Sequence, residues 1–279
     1  MCHVTLLQKI YGSVSLKAVE NILSGLFEGL RVELANLETG ENNWVKIEVK
    51  GEDAKVAVRL LERGGKLAPI GIEKIERFSA LNGSVVSSGV ERGICVDVGL
   101  VYPRIVYGMM HLQHLRGQLV DGVKLTIEQI VELFGLTNHF PIEVRVTGIG
   151  PHRLDAELTE RQLALYSYWI NGMVDRLIVL GSSRKRVKEA VEKTGLTRDV
   201  IGIESLGLFE HVVVCKLGTD GKGLIARIGK RLYRAKLVAF SPRKILEAAD
   251  DQWSRAVSSF EHSKYKQQYS IQAQVWKGK

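Results

Sequence analysis

The period of the apolar positions changes several times along the chain, and each change marks an element. VTLLQKIY, from Val4 to Tyr11, reads as a strand. VSLKAVENILSGLFEGL then carries Val19, Ile22, Leu23 and Leu26 at helical spacing. RVELANL and WVKIEVK alternate as half-buried strands do, and TGENN between them supplies the residues of a hairpin turn. EDAKVAVRLLER is a second helix, stopped by Gly64 and Gly65. This β-α-β-β-α order is most of a split βαβ unit. GGKLAPIG follows as a linker, or as the lead into a last strand.

From Phe78 to Gly150 short strands are broken by one short helix in residues 125–136. Thr126 with Gln129 makes a capping-box pattern there, and Gly135 sits where a helix-ending glycine belongs. IEVRVTGIG alternates again, as a closing strand would. After His152, Thr159 with Gln162 opens a helix expected to turn Leu163, Ile170 and Val174 inward. RLIVLG, DVIGIES, HVVVCKLG and AKLVAF then read as strands, with SRKRVKEAVEKTG and DGKGLIARIGKRL as helices. That order, β-α-β-β-α-β, is ferredoxin-like and repeats the N-terminal pattern. Beyond Ile245 the chain is polar, Gln-rich and dotted with aromatics, as in a helix fading into a flexible tail or a segment that orders on a partner.

The expected architecture is therefore α+β and multidomain. A βαββα(β) domain spans 1–77, a β-barrel with an inserted helix 78–150, a basic ferredoxin-like domain 151–246, and a helix or tail 247–279. A length of 279 residues suits two or three domains, and 45% hydrophobic with 25% charged residues are globular proportions. The formal charge of +8 becomes informative once it is located: residues 184–244 alone carry about +9. A positive field at one end favours a polyanionic partner. Cys2, Cys95 and Cys215 are odd in number and form no C-x-x-C pair, so neither a disulfide framework nor a zinc knuckle is expected. The start lacks the features of a signal peptide, and no apolar run approaches the roughly 20 residues of a membrane span. A soluble, cytoplasmic protein is the expectation.

Catalytic motifs are missing: there is no phosphate loop of the G-x-x-x-x-G-K-[ST] type, no G-x-G-x-x-G, no H-E-x-x-H and no G-x-S-x-G. Residues 218–223, GTDGKG, precede a helix and invite comparison with phosphate-cradling helix starts, although the spacing fits Asp220 as a cap better. His111 and His114 lack a third metal ligand nearby. Asp250 and Asp251 lie in the tail, and Cys95 and Cys215 lie in apolar strand runs that suit inert, buried thiols. The expectation is a protein that is not an enzyme and holds neither cofactor nor metal.

A binding protein is the better reading. Gly83-Ser-Val, then Arg92-Gly-Ile-Cys-Val-Asp-Val-Gly99, then Tyr107-Gly-Met-Met-His111 is similar to the S-one RNA-binding domain, an OB barrel. Gly83, Gly93, Val96, Gly99, Gly108 and His111 fall on its pattern in order. Where that family has two exposed aromatics, this chain has Arg92 and Cys95, so the stacking platform is missing. The resemblance implies RNA contacts at Arg92, Tyr102, Arg104, Tyr107, His111, His114 and Arg116. The charge points further along. Arg184, Lys185, Arg186 and Lys188 open one helix, and Lys222 lies at the start of the other. Arg227, Lys230, Arg231 and Arg234 close that second helix, with Lys236 just after. If both helices pack on one sheet face, these residues form one basic surface. The triplet opposes its own helix dipole, which local stability does not explain.

Over residues 3–243 the chain resembles an archaeal family of uncharacterised proteins classed as a domain of unknown function. The resemblance rests on VTLLQKIYG, VDVG, HLQHLRGQL, VELFGL, DRLIVLG and LGLFEHVVVCKLGTDGKGLIARIG. It implies a flanked S-one-like barrel and a role near RNA in translation, with no catalytic residues to carry over. The reading is thus a non-catalytic RNA- or ribosome-binding protein, with rRNA in a ribosomal subunit as partner and ribosome hibernation or dimerisation among its roles. The alternatives are an enzyme of RNA or nucleotide metabolism using residues 218–223, and an interaction scaffold acting as a homodimer.

Overall fold

The computed structural model describes residues 1–69, 71–90, 92–100, 105–150 and 153–248. The N-terminal domain has β1 (Cys2–Lys9), α1 (Leu16–Leu26), β2 (Glu33–Thr39), β3 (Trp44–Lys50) and α2 (Ala54–Arg63). Its antiparallel sheet has the order β1-β3-β2. Ser15 caps α1, its hydroxyl accepting from the Ala18 amide at 3.2 Å. The apolar stripes of both helices pack with Leu6, Val45, Ile47 and Val49 in one core. Asn42 and Asn43 take positive φ between β2 and β3, the conformation that turn residues of this kind tolerate. The stretch after Gly65 does not become a strand. It lies along the free edge of β1, where the Leu7 amide donates to the Lys66 carbonyl at 2.7 Å and the Ala68 amide to the Thr5 carbonyl at 2.9 Å.

The second unit is a closed barrel of β4 (Ala80–Val90), β5 (Gly93–Leu100), β6 (Val106–His111), β7 (Pro141–Ile149) and β8 (Arg153–Leu158). Around the barrel the order is β4-β5-β6-β8-β7, with β8 parallel to β6 and the other neighbours antiparallel. Gly93 has φ 156, and a side chain there would run into the Met110 backbone of the adjoining strand, so the tight start of β5 needs glycine. Between β6 and β7 lie two helices rather than one, α3 (Leu112–Val120) and α4 (Ile127–Phe134). The full capping box at Thr126 and Gln129 is present, and Gly135 ends α4 with φ 67.

The barrel extends past the boundary expected at residue 150, because its last strand is β8. Helix α5 (Glu160–Asn171) belongs with it too. The helix buries Tyr166 and Trp169 in the barrel core, whereas Leu163, Ile170 and Val174 are only half-buried around it. Large aromatics remove more apolar area than the aliphatic stripe, and they set the rotation of the helix.

The C-terminal unit has β9 (Arg176–Leu180), α6 (Arg184–Lys193), β10 (Val200–Ser205), β11 (Glu210–Cys215), α7 (Gly221–Ile228) and β12 (Lys236–Phe240). Its sheet has the order β10-β11-β9-β12, all antiparallel. Alternate residues serve two layers. Leu177, Val179, Val213 and Cys215 pack under α6 and α7. Ile178, Leu180, Val212, Val214 and Phe240 face the other way and join the barrel core with Phe134, Tyr166 and Trp169. Buried Arg176 donates to the Trp169 carbonyl at 2.8 Å, tying α5 to β9.

Two polar ties hold the N-terminal domain against these units. Lys9 Nζ meets Asp97 Oδ2 at 2.6 Å, with 8% and 0% of the two side chains exposed. The Gly99 amide donates to Asp97 Oδ1 at 2.9 Å and Asn42 Nδ2 to Asp97 Oδ2 at 3.0 Å, so the carboxylate is fully engaged. The second tie is Glu210, which accepts from the Tyr11 hydroxyl and from Gln8 Nε2 at 3.3 Å. Phe209 beside it enters the N-terminal core. Removing one partner of a buried ion pair strands the other charge, which costs about 3–5 kcal/mol. Lys9→Ala is expected to lower the unfolding free energy by that order in urea titrations, and Lys9→Ala with Asp97→Ala together to lower it less than two independent losses would.

Candidate nucleic-acid interface

The sheet register places most of the basic residues. Leu180, at the end of β9, pairs with Glu210 and with Lys236, at the starts of β11 and β12. Arg184, Lys185 and Arg186 follow Leu180 directly, and Lys230, Arg231 and Arg234 lead into Lys236. All of them therefore meet at one end of the C-terminal sheet, and all are exposed. Among the described residues none forms an ion pair with a carboxylate. Arg184 Nη2 donates to the Ile203 carbonyl at 3.1 Å. Ser183 caps α6, its hydroxyl accepting from the Arg186 amide at 3.5 Å, so the triplet crowds the positive end of the helix.

Sequence reasoning missed one residue here. Tyr233 is 71% exposed amid these cations, and the Arg234 guanidinium lies 5.6 Å from its ring centroid. The signal was an aromatic inside the basic run KRLYRAK, whose exposure a sequence cannot show.

The other basic residues do not join this end. The expectation of one continuous surface is corrected by the direction of the helices: α7 starts beside Asp175, at the opposite edge of the sheet, where its Gly221 amide donates to Asp175 Oδ2 at 3.0 Å. Lys222 is there, close to Lys244, whose ammonium its charge and hydrogen bond push below the usual lysine range. Arg227 reaches back to Asp199 at 3.5 Å and to the Thr194 carbonyl at 3.3 Å, closing the end of α6. Lys188 lies 3.9 Å from Glu192 on its own helix.

The glycine loop also reads differently in three dimensions. The Lys222 and Gly223 amides donate to Asp220 at 3.1 and 2.9 Å, and Asp175 takes Gly221. Carboxylates thus already fill the helix start where a nucleotide phosphate would have to bind. Burial pushes the Cys215 thiol up to about 12, as suits a packing residue rather than a nucleophile.

On the barrel the expected contacts divide. Arg92 and His114 are exposed, and β5–β6 pairing puts Gly93 opposite His111, so Arg92, His111 and His114 share one end. His111 Nε2 lies 3.2 Å from Asp155 Oδ1, and its ring is edge-on to His114 at 6.1 Å. Tyr107 is at the other end of β6 and turned to the N-terminal domain, its hydroxyl accepting from Asn42 Nδ2 at 3.0 Å. Arg116 donates to the Leu125 carbonyl at 2.8 Å and braces the turn between α3 and α4. Tyr102 and Arg104 lie outside the described residues, as does the tail from residue 249.

Three family models match in order: the DUF2110 N-terminal domain over residues 3–65, the central domain over 80–170 and the C-terminal domain over 174–240. The chain belongs to the DUF2110 family. The central match of this DUF2110 protein takes in β8 and α5, as the packing does. No curated protein matches the chain. Two solved structures show distant likeness. One is a multidomain protein with nucleic acid binding domains from Streptococcus pneumoniae, at 11% identity and TM-score 0.22, covering 78% of this chain and 53% of that one. The other, from Thermus thermophilus, has 12% identity and TM-score 0.18 and covers 90% and 42%. The chain spans about half the length of the solved structures it matches. No helix among the described residues is long and apolar enough to cross a membrane.

Beneath the basic end lies His211, 2% exposed, its Nδ1 3.2 Å from Ser205 Oγ. Burial, then the charge of Arg184, pulls its pKa down to about 4. The unfolded chain protonates this histidine near 6.5 and the folded chain resists until about 4. Stability contributed by the neutral ring is therefore complete above 6.5 and is lost as pH falls between those values. Urea unfolding at a series of pH values is expected to show this loss, on the order of 3 kcal/mol, and His211→Asn is expected to reduce it, the remainder coming from His139, whose pKa burial also pulls down to about 4.

Proposed function

We propose that this protein binds RNA without transforming it, and that the basic end of its C-terminal domain is the contact. The observation that carries the reading is the convergence of Arg184, Lys185, Arg186, Lys230, Arg231, Arg234 and Lys236, all exposed and without carboxylate partners among the described residues. Phosphate contacts of this kind supply sequence-independent affinity through release of counterions. Tyr233 adds an exposed ring, and aromatic stacking beside cations favours unpaired bases over duplex. The barrel's strand order, first-second-third-fifth-fourth, supports reading it as an OB fold of the S-one kind, and the βαββαβ order supports a ferredoxin-like C-terminal domain. Arg92, His111 and His114 then offer a second, smaller contact at the barrel's end. Ribosomal RNA is the ligand this reading favours, with a role in translation or its regulation.

The test is direct. Binding to purified ribosomal subunits and to a single-stranded RNA oligomer is expected to weaken steeply with salt. Replacing Arg184, Lys185 and Arg186 by alanine is expected to reduce affinity and to lessen the slope of log K against log salt by about 2. Tyr233→Ala is expected to weaken single-stranded RNA more than duplex. No co-sedimentation or oligomer binding at low salt would sink the proposal.

A further inference from the structure

A cleft of about 760 Å³ opens where the three domains meet, within the size range of small-molecule sites. Its floor is the pairing of β4 with β7, with Asn82 opposite Glu143 and Ser84 opposite Pro141. The end of α2 and strand β1 form one wall, α5 forms the other, and residues 205–208 with Glu210 form the roof.

Three independent features distinguish this cleft from a plain domain crevice. First, four of its residues hold buried polar atoms without a hydrogen-bond partner among the described residues: Gln8 Oε1, Trp44 Nε1, Gln162 Nε2 and His139 Nδ1. Gln8, Trp44 and Gln162 are only 2%, 1% and 6% exposed. Folded chains rarely leave such atoms unmet. Both glutamines are anchored through their other atom, Gln8 Nε2 on the Lys9 carbonyl at 3.0 Å and Gln162 Oε1 on the Glu143 amide at 3.2 Å. The free atom of each is left over.

Second, His139 has φ 71, a left-handed conformation that is uncommon for a residue with a side chain. Its ring is stacked on Tyr11 at 3.8 Å and 7°, and Tyr11 in turn holds Glu210. Burial pulls the His139 pKa down to about 4 and pushes Glu210 above the usual carboxylate range, and the ammonium of Lys9 at this end is paired with Asp97. Third, the rim is cationic. Arg63 and Lys66 have no ion pair among the described residues, and Arg161 shares Glu143 at 3.6 Å. Glu62 offsets part of this charge and leaves the rim net positive.

A buried end with spare donors and a spare acceptor, next to a cationic rim, fits a ligand with a polar ring at one end and an anion at the other. We propose that the cleft binds a nucleoside monophosphate, with its base among Gln8, Trp44 and Gln162 and its phosphate at Arg63, Lys66 and Arg161. The site is separate from the basic end of the C-terminal domain and does not depend on RNA binding there.

Isothermal titration of the full-length chain with AMP, GMP, CMP and UMP tests this, with ribose 5-phosphate and inorganic phosphate as further titrants. At least one nucleotide is expected to bind one to one, with the two base-free titrants at least tenfold weaker. Arg63→Ala with Lys66→Ala, the first exposed and the second half-buried, is expected to weaken that nucleotide at least tenfold while circular dichroism stays unchanged. Arg184→Ala with Lys185→Ala and Arg186→Ala is expected to leave it unaltered, so that failure of the RNA reading and failure of this one are distinguishable. Absence of binding at millimolar nucleotide, equal binding of ribose 5-phosphate, or indifference to the Arg63 and Lys66 changes would each overturn the proposal.

Discussion

Lys9 and Asp97 face each other at 2.6 Å with almost no access to water, and the arrangement of the domains follows from that. An ionised pair in such a place is tolerable only if every remaining hydrogen-bonding site is filled. Asn42 and the Gly99 amide fill those of the aspartate, and the Trp44 ring lies 4.7 Å from the lysine ammonium. These contacts come from two domains, so the charge is neutralised only when strand β1 is docked on the barrel. Two residues further on, Tyr11 meets Glu210 of the third domain. Gly181, at φ 87, leaves room for the tyrosine ring, which a Cβ there would approach to 2.9 Å. One short stretch of chain thus fixes both neighbours, and the cleft is the space left between the two ties.

Much of the fold was legible because local rules and tertiary packing agree. The 3.6-residue stripe of α1, the capping box at Thr126 and the alternation of β3 all survive intact. The errors have a common cause. Strand β8, RLDAEL, is short and charged, and nothing in its pattern shows that it closes a barrel. In α5 the aliphatic stripe was read as the inner face, but Tyr166 and Trp169 take that place because the barrel core accommodates rings. Helix α3 has weak apolar periodicity, and its glycine lowers the helix propensity of the run.

The candidate site shows the same division. Charge density along the sequence gathers most of the basic residues between 184 and 244. It could not show that strand register gathers Arg184 with Arg234 and sends Lys222 and Arg227 to the far edge. Nor could spacing reveal that Asp175, distant in sequence, completes the helix cap begun by Asp220 and so removes the glycine loop from consideration. The residues that line the cleft come from β1, β3, α2, β4, β7, α5 and the β10–β11 hairpin, and no linear motif joins them.

Phe209 carries one more implication. It belongs by sequence to the C-terminal match but by packing to the first core, alongside Leu6, Val19 and Leu61. Residues 1–77 expressed alone would be missing a side chain from their own interior, and a Phe lost from a core costs about 3–5 kcal/mol. Sequence divides this chain into three modules, but no cut between the first and the third leaves two complete pieces. Cutting at either junction therefore opens an interior rather than merely parting modules.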